Sequence, residues 1–158
     1  MAELRLFKQY QFFREMTLNE LKGVTNEEAL IIPEGFSNSI LWNAGHILVT
    51  SDSIITNGVL GEEYKYKHLQ EFFNRGTRPS EWTKEPPNLE EIVKELRDQL
   101  KDIEAKYEGK LNSPLENPFS LGVMELETGA DYFNFGIIHE SLHIGVIKGL
   151  KYALKGKK

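Results

Sequence analysis

Residues 139 to 143 read His-Glu-Ser-Leu-His, the H-E-x-x-H pattern in which two imidazoles at i and i+4 leave one helix face to meet a metal, with the glutamate as general base. Peptidase chemistry on this pattern needs a third protein ligand C-terminal to the second histidine. Only 15 residues follow His143, and none from Ile144 to Lys158 is His, Asp, Glu or Cys. A third ligand must therefore come from upstream, and a zinc peptidase using Glu140 is the weakest of the readings.

Two histidines precede the pair. His68 lies among Lys65, Lys67 and Glu71, a solvated setting. His46 lies in a segment from Ser37 to Asn57 whose one charge is Asp52. On a helical wheel His46 shares a polar but uncharged face with Trp42, Asn43, Thr50 and Ser53, which suits the wall of a pocket. If His46, His139 and His143 converge, they offer three neutral nitrogen ligands and an open fourth position, the pattern of a catalytic rather than a structural metal. Imidazoles suit zinc, nickel, copper or iron(II). Such an ion lowers the pKa of a bound water toward 7 or takes an incoming thiol as thiolate, so hydrolysis and thiol transfer are both open. The competing reading, imidazoles satisfied within the core, must meet the cost of desolvating two rings side by side. No catalytic side chain is identified beyond Glu140, a weak candidate. It leaves the helix about 100° from His139, where solvent or a subunit contact is expected.

Four amphipathic segments must position these groups. Residues 3 to 22 place Leu6, Tyr10, Phe13, Thr17 and Leu21 on one stripe. A "TNEEAL" turn with a Thr25/Glu28 capping box precedes the second helix, about 37 to 57, which should be buried nearly all round. The third runs from an Asn88 N-cap to Gly109, with Leu89, Ile92, Val93, Leu96, Leu100, Ile103 and Tyr107 as its apolar stripe. The fourth follows Thr128 and runs to Leu154. Its stripe of Phe135, His139, Leu142, His143, Val146 and Leu150 should face the interior, which leaves Phe133, Ile137 and Ile144 for a dimer interface or for packing on a long connection. The connections, 58 to 88 and 111 to 127, carry every proline except Pro33, and the first holds a short helical candidate around Tyr64 to Phe73. The pattern predicts an all-α four-helix bundle, with long connections between helices 2 and 3 and between helices 3 and 4, as one domain over residues 1 to 158.

Composition limits the partners. Against 24 Asp and Glu stand 19 Lys and Arg, a net charge of −5, and the one basic run is the terminal Lys155-Gly156-Lys157-Lys158, so nucleic acid is disfavoured. There is no cysteine, which excludes thiolate metal sites and a cysteine nucleophile. No signal-peptide core or membrane-length apolar run is present, so the expected location is the cytoplasm.

Three stretches form a set: "PEGFSNSILWNAGHIL" (33 to 48), "EFFNRGTRPSEW" (71 to 82) and "HESLHIGVIKGL" (139 to 150). Together they resemble the DinB/YfiT-like family of bacterial metal-binding four-helix bundles. The resemblance implies a homodimer with a divalent metal, commonly nickel or zinc, held at the positions matching His46, His139 and His143. It also implies a small-molecule substrate, handled either by a thiol S-transferase using a low-molecular-weight thiol or by a metal-dependent hydrolase. A non-catalytic metal- or ligand-binding bundle is the alternative. Glu140 receives no role from it.

Overall fold

The strongest helix starts in the sequence are built as capping boxes, in which a Thr or Asn side chain accepts from the amide three residues on and the acidic side chain there accepts in return. The pairs are Thr25 with Glu28, Asn88 with Glu91, and Thr128 with Asp131. In this computed structural model, which describes residues 1 to 156, they open the second, fifth and sixth α-helices. Lys157 and Lys158 of the terminal basic run lie outside the described residues. The elements are α1 (Ala2–Leu21), α2 (Asn26–Leu30), α3 (Ile40–Ser51), α4 (Gln70–Phe73), α5 (Leu89–Lys106), the strands β1 (Pro114–Leu121) and β2 (Met124–Thr128), and α6 (Gly129–Lys155).

The four long helices match the predicted segments, and three features differ. The "TNEEAL" stretch is α2, a short helix rather than a turn. Beyond Ser51, α3 continues as a π-helical segment, Asp52–Val59, a form found mostly as single turns and often at functional sites. The second connection is not loop throughout, so the chain is mostly helical rather than all-α. Residues 114 to 128 form an antiparallel hairpin around Gly122, whose φ of 66° favours glycine. Its basis is legible: Pro114 and Pro118 oppose a helix, and in β2 the buried Leu126 lies between exposed Glu125 and Glu127, a period of two.

The long helices pack in a closed circuit, α1 on α6, α6 on α3, α3 on α5 and α5 on α1. Their buried faces form two apolar clusters. One holds Leu21, Leu48, Leu96, Ile147 and Leu150, and the other Phe7, Tyr10, Ile55, Ile103, Phe133 and Ile137. Following each helix between the clusters shows that α1 and α6 run one way while α3 and α5 run the other. Parallel neighbours such as α3 and α5 need a long crossover, which explains the 60 to 88 connection. Between the clusters lies a buried polar layer of Arg14, Thr17, Ser51, Gln99 and Glu140. Among the described residues no helix is long and apolar enough to cross a membrane.

Candidate metal centre

Each histidine is held by its own local structure. On α3, Ser39 caps the N-terminus by accepting from the Trp42 amide. Three residues after Trp42, a Cβ at Gly45 would collide with the Phe73 ring. The missing side chain lets α4 lie against α3, and the Phe73 carbonyl then accepts from His46 Nδ1 at 2.7 Å. A carbonyl only accepts, so the proton is on Nδ1 and Nε2 carries the lone pair. Trp42 stacks on the His46 ring, with centroids 4.6 Å apart and planes 12° apart, while its Nε1 donates to Thr77 Oγ1. The "WNAGH" and "EFFNRG" stretches are therefore two halves of one clamp. Gly45→Ala is expected to lower stability by about 1–3 kcal/mol through overpacking and to weaken metal uptake with it. Urea unfolding and metal titration of the variant check both effects.

His143 is oriented in the same way. Asn43 Nδ2 donates to Asn38 Oδ1 and to the Ser39 carbonyl, so its Oδ1 is turned to accept from His143 Nδ1 at 2.7 Å. His143 Nε2 then also offers a lone pair. His139, one turn earlier on α6, brings Nε2 to 3.2 Å from His46 Nε2. The ring centroids lie 5.0 Å apart for His46 and His139, 4.8 Å for His46 and His143, and 4.6 Å for His139 and His143. One nitrogen from each ring lies within 4.8 Å of the others.

The electrostatics keep all three rings neutral. Burial lowers the pKa of His139 to about 3, helped by His143 and His46, and that of His143 to about 4, helped by His46. His46 is also lowered by burial, against the opposing pull of the Phe73 carbonyl. Neutral imidazoles with second nitrogens tied to a carbonyl and a carboxamide are the arrangement that tunes histidine for metal binding. The donor set fits a divalent ion: converging lone pairs, and no carboxylate in the cluster. The shifts also fix a pH dependence. Unfolded histidine titrates near 6.5, so below that pH the unfolded chain binds more protons than the folded one. Metal-free protein should lose stability as pH falls from about 6.5 toward 3, by at most about 2 kcal/mol per histidine at pH 5. Denaturant unfolding in chelator at pH 7.5 and pH 5 measures it.

The structure brings together His46, His139 and His143, and leaves His68 exposed and outside the cluster. Trp42 and Asn43 do not line an open pocket. They are buried supports of His46 and His143, and Thr50 Oγ1 lies 3.5 Å from His46 Nε2. Ser53 lines a cavity of about 670 Å³ bounded by the π-helical segment, the start of β1 and α6, together with Asn57, Gly58, Tyr64, Tyr132 and Phe135. Phe135, which lines this cavity, also has its ring centroid 6.4 Å from that of His139.

Two expectations for α6 are corrected. Its buried face runs through Phe133, Ile137, Glu140, Ile144 and Ile147, and the histidines flank it, half-buried, with Leu142 66% exposed. Phe133 and Ile137 pack into their own chain's core with Phe7, Tyr10 and Ile103, not at a subunit contact; Leu111 of the second connection joins that cluster. Ile144 is buried as well. Glu140 is neither solvated nor available as a base. It is 1% exposed and lies 2.8 Å from Arg14 Nε, because the guanidinium supplies the paired charge that burial of a carboxylate requires. Sequence reasoning missed Arg14 altogether. Its signal was a position on the Tyr10, Thr17, Leu21 stripe, where a cation implies an anion on a facing helix.

The family model of the DinB superfamily matches residues 9–147. A search of curated proteins finds no match.

Proposed function

The chain belongs to the DinB superfamily, and from that premise we propose that it is a metal-dependent enzyme acting on a small electrophile. His46, His139 and His143 are its ligands, nickel or zinc its metal, and the four long helices a four-helix bundle forming one domain. The observation that carries this reading is the convergence of three neutral imidazoles, two of them with their outer nitrogens fixed by Phe73 and Asn43. A bound divalent ion supplies Lewis acidity that brings the pKa of a thiol or a water toward neutrality. The chain's own contribution is to hold the tautomers, to shield one side with Trp42, and to leave the other side half-open. The cavity lined by Phe135 has the size of a small-molecule site, and supports a substrate whose body rests against Ser53, Asn57 and Tyr132. Thiol S-transfer and hydrolysis share this geometry, and a homodimer remains compatible with it.

The test is a screen of protein reconstituted with nickel or zinc against thiol-plus-electrophile pairs and small esters and amides. Turnover that disappears with chelator and in His139→Ala supports the reading. Full turnover in His139→Ala, or none with either metal across both reaction types, contradicts it. Loss of helicity on chelation would favour instead a metal with a purely structural role.

A further inference from the structure

The polar layer is built around one side chain. Arg14 Nε and Nη2 donate to the two oxygens of Glu140, at 2.8 and 3.1 Å, and Thr17 Oγ1 donates to the same carboxylate at 2.7 Å. Nη1 donates to the Leu96 carbonyl and Gln99 Oε1, and Nη2 also approaches Tyr10 Oη and Ser51 Oγ. Gln99 in turn donates to the Leu48 carbonyl. One guanidinium thus grips α1, α3, α5 and α6 at a single level. Apolar contacts on either side of it are non-directional and tolerate a slide or rotation of a helix, whereas these hydrogen bonds are satisfied in one arrangement.

The level coincides with the histidines. Glu140 is the residue after His139, while Leu48 and Ser51 lie two and five residues beyond His46. A shift of α6 by one residue relative to α3 moves a side chain about 1.5 Å along the axis and 100° around it, enough to take His139 away from His46. A buried ion pair is poor evidence for stability, since apolar replacements are often as stable, and its attested use is to specify register. We infer that Arg14 and Glu140, with Thr17, Ser51 and Gln99, are positioning residues that set the register of α6 against α3 and so bring the three imidazoles together. The inference rests on the proposed metal reading for its affinity readout alone.

The experiment compares wild type with Arg14→Met/Glu140→Met, which replaces the pair by apolar side chains. Ser51→Ala/Gln99→Met, which keeps the pair but cuts the ties to α3, serves if the first does not fold. Two quantities are read: zinc affinity by chelator-competed calorimetry, and, in metal-free protein, the nuclear Overhauser contact between the His46 and His139 rings. The expected result is a cooperatively folded variant whose ring contact is lost and whose zinc affinity falls by on the order of tenfold or more. A purely structural layer would change neither in a variant that folds, so wild-type affinity with an unchanged ring contact overturns the inference. Should wild type take up no zinc, the metal reading falls and the ring contact alone decides this one: loss in the variant supports it, retention overturns it.

Discussion

Replacing Arg14 alone by Met is expected to lower the free energy of unfolding by about 3–5 kcal/mol, the cost of leaving a buried carboxylate without its counterion. Glu140 is 1% exposed, and among the described residues its hydrogen-bond partners other than Arg14 reduce to the hydroxyl of Thr17. Water cannot reach it without opening the contact between α1 and α6. A loss of this size is a large part of the 5–15 kcal/mol that holds a domain of this kind folded, so the variant should unfold at markedly lower urea or precipitate on expression. Glu140→Gln keeps the shape and a hydrogen-bond acceptor for the guanidinium, yet leaves the cation of Arg14 buried, and should fall between the variant and wild type. Urea unfolding followed by circular dichroism orders the three proteins. Equal midpoints for Arg14→Met and wild type would show that the network is not closed to solvent.

A second large effect is expected from the metal. An ion that binds the folded state and not the unfolded one stabilises it by about 4 kcal/mol when free ion exceeds Kd a thousandfold. Zinc or nickel at that excess should therefore raise the urea midpoint of wild type clearly. His46→Ala should abolish the rise, since it removes the ring that joins α3 to the α6 pair. The metal-free midpoints of the two proteins should differ less, because the Phe73 ring still packs against Gly45 of α3 and Trp42 keeps its hydrogen bond to Thr77. An equal metal-induced rise in both would place the ion elsewhere.

Of the long helices, α5 and α6 were legible from the capping boxes at their starts, α1 and α5 from long apolar stripes, and α3 from a run almost free of charge. The histidine pair was legible for a related reason, that an i, i+4 spacing survives any rotation of the helix. Which face of α6 is buried was not. His139 and Glu140 differ by one residue, about 100°, and apolar side chains occur on both faces. What decides between them is Arg14, 126 positions away in sequence, and a local pattern holds no information at that distance. The roles of Trp42 and Asn43 were half-legible: their place beside His46 follows from helical spacing. That Asn43 serves His143 on another helix follows only from the packing. Ser53 lines the cavity from the π-helical segment, and that segment left no mark in the apolar pattern.

The central claim is that three histidines form one metal centre. Its most direct test is the metal content of untagged protein by inductively coupled plasma mass spectrometry, purified without chelators beside His139→Ala. About one equivalent of nickel or zinc per chain in wild type, lost in the variant, is the result this account predicts. Metal-free wild type that stays so after incubation with either ion, or a variant that keeps its full equivalent, would contradict it.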